Sequence, residues 1–349
     1  MARKLRVVVP GGWYHVVNRG NRREALFRTD TDRRRFLGRV AELPERFHIE
    51  VHAFVLMDNH YHLLLRIREA NLSDAIRWLQ VAYSSVFNWA HRIRGHLFQG
   101  RFRSLLVEDL HGVVEVARYL HLNPVRVQGL GLGKADQRRA RVADLDDPGA
   151  ALVRERLRTL DGYPWSSWRV YAGFEPRPPW LTTGTVAAGC GGRAAADRRT
   201  ALREYTETPI RQGRLDNPWE RVVAGLVLGS KEFASRILTP PGAKAAGEAA
   251  EAWQVRIVRP EWKAIVAAAE GIGGQPWSEV VDTHGDWIRD AVLYTTVRHL
   301  GYRLTEVYRE IPGLKYSAAA QAVKRFGRMQ LEDEARERFV RRLRRALAR

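Results

Sequence analysis

Apolar positions along the first 125 residues switch between a spacing of two and a spacing of three to four, and each switch predicts an element. Trp13-Tyr14-His15-Val16-Val17 is dense in aromatic and β-branched residues and reads as a strand, closed by Asn18-Arg19-Gly20-Asn21. Phe36, Leu37, Val40 and Leu43 then keep helical spacing up to Pro44, with Asp30 or Thr31 placed to cap that helix. Ile49 to Leu56 predicts a second strand. The tight Met57-Asp58-Asn59 connection turns it into a third, His60 to Ile67, so the two form a hairpin. Ser73 caps a long helix in which Ile76, Leu79, Tyr83, Val86, Phe87 and Ala90 recur at three and four residues. Ser104 to Glu108 reads as a fourth strand, and a helix follows from about Gly112 to Asn123, where Pro124 ends or bends it. The order β-α-β-β-α-β-α is the split pattern of an α+β, ferredoxin-like antiparallel sheet with helices on one side.

Beyond this the patterns are mostly helical. Gly129 to Arg141 is glycine-rich and basic and reads as a loop, with a short helix near Ala151 to Leu160. Tyr163 to Tyr171 is densely aromatic and reads as a wrap that packs back on its domain. Thr182 to Ala196 looks like a boundary, and Thr239-Pro240-Pro241-Gly242 opens a linker. Three regions are therefore expected: an α+β domain over 1–180, a helical linker region over 181–255 and a helical domain over 256–349. In the last, a helix begins at Trp287, a second covers Leu304 to Ile311, Pro312-Gly313-Leu314 forms a turn, and Ser317 caps a third helix, Ala318 to Phe326. Gln321, Lys324 and Arg325 on that third helix complete a helix-turn-helix arrangement suited to a DNA major groove, with a plain helical hairpin as the alternative.

Composition narrows the partner. Lys and Arg number 58 against 39 Asp and Glu, for a net charge of +19, and arginines lie beside aromatics, which favours a nucleic acid over a merely solvated basic surface. Cys190 is the single cysteine, so no intrachain disulfide or thiolate metal site is available, which fits a reducing cytoplasm, where the protein is expected in association with the nucleoid. The apolar runs, such as Val222 to Leu228, are far shorter than the roughly 20 residues of a membrane helix.

The candidate chemistry starts from His60-Tyr61-His62. On a strand the two imidazoles share one face, as metal ligands or as two satisfied histidines of a half-buried strand. Sixty residues on, Glu115, Tyr119 and Asn123 stack at spacings of four on a helix. Two imidazoles with the Asn123 amide oxygen make a hard, open site suited to Mg²⁺ or Mn²⁺ on a phosphate, beside a tyrosine hydroxyl able to attack it. A phosphotyrosine link would retain the bond energy for rejoining strands.

Gly11-Gly12-Trp13-Tyr14-His15-Val16, Asn18-Arg19-Gly20, Met57-Asp58-Asn59-His60-Tyr61-His62-Leu63-Leu64, Phe98-Gln99-Gly100-Arg101-Phe102 and Arg118-Tyr119-Leu120-His121-Leu122-Asn123-Pro124-Val125-Arg126 together resemble the IS200-like tyrosine transposases. Within these they resemble the branch associated with repetitive extragenic palindromes (REP). The resemblance implies the HUH fold and a single-strand DNA transferase acting on hairpin DNA. It implies His60 and His62 as metal ligands, Tyr119 as the nucleophile that forms a 5′-phosphotyrosine and a free 3′-OH, and Asn123 where the wider family often has a glutamine ligand. Arg19, Arg101 and Arg103 are candidate phosphate contacts by charge and motif position. The tail from about Ile288 to Phe326 is similar to the DNA-binding domain of the initiator DnaA, but Tyr316 and Ala318 depart from its signature, so duplex binding is expected without its sequence preference. The protein is expected as monomer or homodimer. The other reading is a domesticated DNA-binding protein that keeps the fold without significant catalysis.

Overall fold

The computed structural model describes residues 7–142, 148–238, 256–257, 260–283, 286–300, 302, 304–329 and 333–347. These form two compact units, one built from residues 12–66 and 73–238, the other from 7–11, 67–72 and the described residues from 256 onward. The linker expected to open at Thr239 lies outside the described residues.

The first unit is organised around a sheet in the spatial order Ile49–Met57, His60–Ile67, Trp13–Arg19, Arg103–Val107, Val227–Leu228, Val222–Val223. Its first four members have the ferredoxin-like order, with Trp13–Arg19 antiparallel to both neighbours. Two corrections follow. The sheet is six-stranded and mixed, because Val227–Leu228 joins the edge in parallel with Leu106 and Val107. The turn between the two added strands is made by Ala224 and Gly225, at φ 53° and 70°. Helices also cover both faces rather than one. Tyr61 faces Asp30–Val40 and Leu72–His91, with Phe36 at 4.8 Å between ring centroids and Gln80 donating to its hydroxyl at 2.8 Å. Leu64, of the opposite parity, shares a core with Val113, Val116 and Leu120 of the helix Leu110–His121.

Helix starts differ from expectation by one to three residues. Thr29 rather than Asp30 or Thr31 caps the first helix, in a reciprocal box in which the Asp32 amide donates to Thr29 Oγ1 at 3.2 Å and the Thr29 amide to Asp32 Oδ2 at 2.9 Å. Ser73 lies inside its helix, which runs Leu72–His91. Asp109 accepts from the Gly112 amide at 2.8 Å, so the next helix begins at Leu110; it ends at His121, and Asn123–Val125 is a separate 3-10 turn around Pro124.

The 163–171 wrap packs as expected. Trp168 is fully buried, and the Leu56 amide donates to the Trp165 carbonyl at 2.8 Å, which covers an edge strand that would otherwise expose its backbone. Residues 129–141 are not a loop throughout, since Lys134–Val142 is helical. Asp136 takes the Gly133 amide at 3.0 Å, and Gln137 is tied to Gly213 and Leu215 at 3.0 and 2.7 Å. The region expected as a linker from residue 181 belongs to this unit. Its short helix Gly184–Gly189 lies so close to Leu110–His121 that a Cβ on Gly189 would meet Val114 Cγ2 at 2.5 Å.

The second unit is mostly helical, with a short parallel pairing of Val7–Val8 and Arg256–Ile257, and has Ile265, Ala291, Val292, Phe326, Phe339 and Leu343 in one core. Leu293, Val307, Ile311, Ala322 and Val323 form another that packs Trp287–Arg298 and Leu304–Val307 against Tyr316–Met329. The middle helix is shorter than expected, giving way to a 3-10 turn at Tyr308–Glu310, and Gly313 takes φ +73° in the turn that follows. The last of the three starts at Tyr316, so Ser317 sits in its first turn and is not the cap.

Candidate active site

Cross-strand register assembles the site. Arg19 pairs with His60, Val17 with His62 and His15 with Leu64, while on the other side Val17 pairs with Arg103. Directly opposed residues share a face of a sheet, so Arg19, His60, His62, His15 and Arg103 form one surface. The helix Leu110–His121 lies on that surface, held there by Val113, Val116, Ala117 and Leu120. Tyr119 is thereby brought to His62, ring centroids 6.0 Å apart and nearly perpendicular, and His60 stands 5.1 Å from His62. The tyrosine and both imidazoles share one side of the sheet. No hydrogen bond among the described residues engages the Tyr119 hydroxyl.

The electrostatics keep the histidines neutral. Burial, then the charges of Arg19 and Lys134 against the opposing Asp58, push His60 down to about 4. Burial, followed by His15, His60 and Arg19, holds His62 well below the ordinary imidazole range. A neutral imidazole keeps one lone pair for a cation. Each ring engages its Nδ1 with a neighbour, His60 with Asn59 Oδ1 at 2.8 Å and His62 with His15 Nε2 at 2.7 Å. That leaves the His60 Nε2 for a divalent ion, and the His62 Nε2 as well when His62 is the donor to His15, an arrangement in which the donor set fits one. Among the described residues no cluster of three or more His, Cys, Asp or Glu could hold a metal ion. Asn123 lies half-buried just past the helix end, where its Nδ2 donates to the Tyr119 carbonyl at 2.8 Å. It caps the tyrosine helix and makes no hydrogen bond to either imidazole.

Of the candidate phosphate contacts, Arg19, Arg101 and Arg103 are all exposed. The 95–102 loop is fastened to the end of the first strand by Asn18, whose Nδ2 donates to the Gly100 carbonyl at 3.0 Å, and by the Gln99 amide on the Arg19 carbonyl at 3.0 Å. His121, on another face of the helix from Tyr119, is buried and paired with Ser167 Oγ at 3.0 Å. Glu115 is largely buried, ion-paired with Arg221 and 3.3 Å from His111 Nε2. In the second unit Gln321, Lys324 and Arg325 are exposed opposite the buried Ala322, Val323 and Phe326, and Arg325 is ion-paired with buried Asp290.

Several site residues escape sequence reasoning. Trp219, from the turn Pro218–Arg221, meets Tyr119 at 4.7 Å and His15 at 4.5 Å between ring centroids, and the Arg126 guanidinium lies 4.7 Å from the centre of the Tyr119 ring. A cleft of about 260 Å³ opens beside the tyrosine, lined in part by Glu115, Arg118, Asp216 and Arg221. No periodicity in the sequence points to Trp219. His15 was legible only through its strand parity with Arg19.

Residues 8–123 match the model of the family described as Transposase IS200 like. Among solved structures, that of a REP-associated tyrosine transposase bound to a REP hairpin aligns with a TM-score of 0.35 and 15% identity over 52% of this chain and 92% of that one. No curated protein matches the chain. No helix among the described residues is long and apolar enough to cross a membrane.

Proposed function

With residues 8–123 matching the IS200-like transposases, we propose that this protein is a metal-dependent single-strand DNA transferase that cleaves and rejoins hairpin DNA of the REP type through Tyr119. The observation that carries the reading is the placement of Tyr119 against His62 and His60 on one sheet surface. Oη of Tyr119 attacks the scissile phosphorus and the P–O3′ bond breaks. The phenolic proton is lost and the departing 3′ oxygen gains one, leaving a 5′-phosphotyrosine and a free 3′-OH. Attack by a 3′-OH on that link reverses the step and joins strands. His60 and His62, with the Asn123 oxygen as the candidate third donor, would hold Mg²⁺ or Mn²⁺, which when bound supplies positive charge to the scissile phosphate. Arg19, Arg101 and Arg103 neutralise flanking phosphates and orient the strand. Gln321 and Lys324, with Arg325, form a duplex-contacting helix face in the second unit, through which double-stranded DNA is held.

The test is direct. Protein is incubated with labelled single-stranded hairpins from the flanking genomic sequence and Mg²⁺ or Mn²⁺, and a denaturant-stable protein–DNA adduct is sought. Binding without any adduct would overturn the enzyme reading. It would favour a second one, a DNA-binding protein that keeps the fold without turnover, to which the packing of Trp219 on Tyr119 and the tethering of Asn123 also lend support.

A further inference from the structure

Beside the two candidate ligands lies a third histidine to which the proposed chemistry assigns no part. His15 is almost fully buried on the central strand, two positions from Val17, the cross-strand partner of His62. Its ring lies nearly parallel to that of His62, with centroids 5.0 Å apart, and on that of Trp219, and its Nε2 meets His62 Nδ1 at 2.7 Å. Its own Nδ1 is buried and without a hydrogen-bond partner. An unsatisfied buried polar atom is uncommon and calls for a reason. A histidine retained only for packing could be replaced by an apolar ring at no such cost.

The neighbouring ligand supplies the comparison. Asn59 Nδ2 donates to the Arg23 carbonyl at 3.2 Å, which orients its Oδ1 toward His60. The His60 Nδ1 therefore carries the proton, and its Nε2 carries the lone pair. A ligating imidazole needs this arrangement, in which the far ring nitrogen donates to an outer partner that sets tautomer and orientation. For His62 the outer partner is another imidazole, which can take the bond in either direction. If His15 donates, His62 is protonated on Nε2 and cannot bind a cation there; if His15 accepts, both ligands present the same free nitrogen.

We propose that His15 is the positioning residue for His62: its Nε2 accepts the His62 Nδ1 proton, so that the His62 Nε2 lone pair is kept for a divalent cation. The inference rests on the metal-dependent reading above. The unpartnered nitrogen of His15 is then an N–H, buried as the consequence of fixing the ligand's tautomer.

The experiment reads tautomers first and metal second. Long-range ¹H–¹⁵N correlation on the metal-free, isotope-labelled full chain should find the protons of His60 and His62 on Nδ1; a His62 proton on Nε2 overturns the proposal. Calorimetric titration with Mn²⁺ should then show His15→Leu binding about 10- to 100-fold more weakly than wild type. His15→Gln, whose Oε1 can accept from the same Nδ1, should stay near wild type and keep the His62 tautomer. Equal Mn²⁺ affinity in His15→Leu and wild type would overturn the positioning role. Should His15→Leu fail to fold, the wild-type tautomer and the His15→Gln titration decide the matter. Absence of Mn²⁺ binding by the wild-type chain would overturn the metal-dependent reading itself, an outcome kept distinct because the tautomer measurement uses no metal.

Discussion

Trp219 meets Tyr119 edge to face, ring centroids 4.7 Å apart and planes at 76°, although a hundred residues of chain separate them. The contact exists because Val222–Val223 and Val227–Leu228 extend the sheet beyond Arg103–Val107 and carry the turn Pro218–Arg221 over the tyrosine. Trp219→Ala should cost about 1 to 3 kcal/mol in urea unfolding, since it removes contacts with both Tyr119 and His15. A variant as stable as wild type would show that the packing contributes nothing.

Tyr119→Phe separates chemistry from structure. The hydroxyl makes no hydrogen bond among the described residues, so the variant should unfold within about 0.5 kcal/mol of wild type. It should bind hairpin DNA and form no adduct on a denaturing gel. An adduct that persists would place the nucleophile elsewhere.

Metal removal should act on cleavage and leave the fold intact. EDTA is expected to abolish the adduct and excess Mn²⁺ to restore it, with hairpin binding largely kept. His60→Ala, at a proposed ligand position that is only partly buried, should lower adduct yield about a hundredfold at limiting Mn²⁺. Full activity in EDTA would rule out the divalent site.

Asp32 links acid stability to the first helix. Burial alone would raise its carboxyl, but hydrogen bonds from His91 and Thr29 overcome this and hold it below the ordinary 3.8. A carboxylate with a depressed folded pKa stabilises the fold above the unfolded value, and that contribution is lost as pH falls through the folded one. Urea midpoints should therefore drop as pH falls below about 4. Asp32→Asn should flatten that decline and cost about 1 to 2 kcal/mol at neutral pH through the broken capping box. An unchanged acid limb would contradict the assignment.

Gly20 closes the strand that bears Arg19, donating its amide to the Asn59 carbonyl at 2.9 Å. A Cβ there would stand 2.0 Å from the Glu24 carbonyl oxygen, a backbone atom with little room to yield. Gly20→Ala should destabilise by about 2 kcal/mol or more in thermal or urea unfolding. A neutral substitution would mean that the turn relaxes freely.

Local pattern by itself determined a good deal. Strand composition and helical spacing locate the four long strands and the helices between them, and the two-residue parity of a strand places His60 and His62 on one face. The four-residue spacing of Glu115, Tyr119 and Asn123 was also legible, although Asn123 proved to lie beyond the helix end, where Pro124 redirects the chain. The cap of the first helix is not fixed locally, because Thr29, Asp30 and Thr31 are all competent cap residues and only the reciprocal bond with Asp32 chooses among them.

What the tertiary structure decided was which face each helix covers and what returns to the sheet from far along the chain. Spacing fixes the apolar stripe of Leu110–His121 but does not say that it docks on the side opposite Asp30–Val40, and only that choice brings Tyr119 to the histidines. Val222–Val223 and Val227–Leu228 are too short to announce themselves as strands; the edge of Arg103–Val107 offers backbone partners to the second, which in turn pairs the first. Trp219 over the tyrosine and His15 against His62 follow from that docking. Such contacts depend on loop closure and complementary packing between distant segments, and no local periodicity records them.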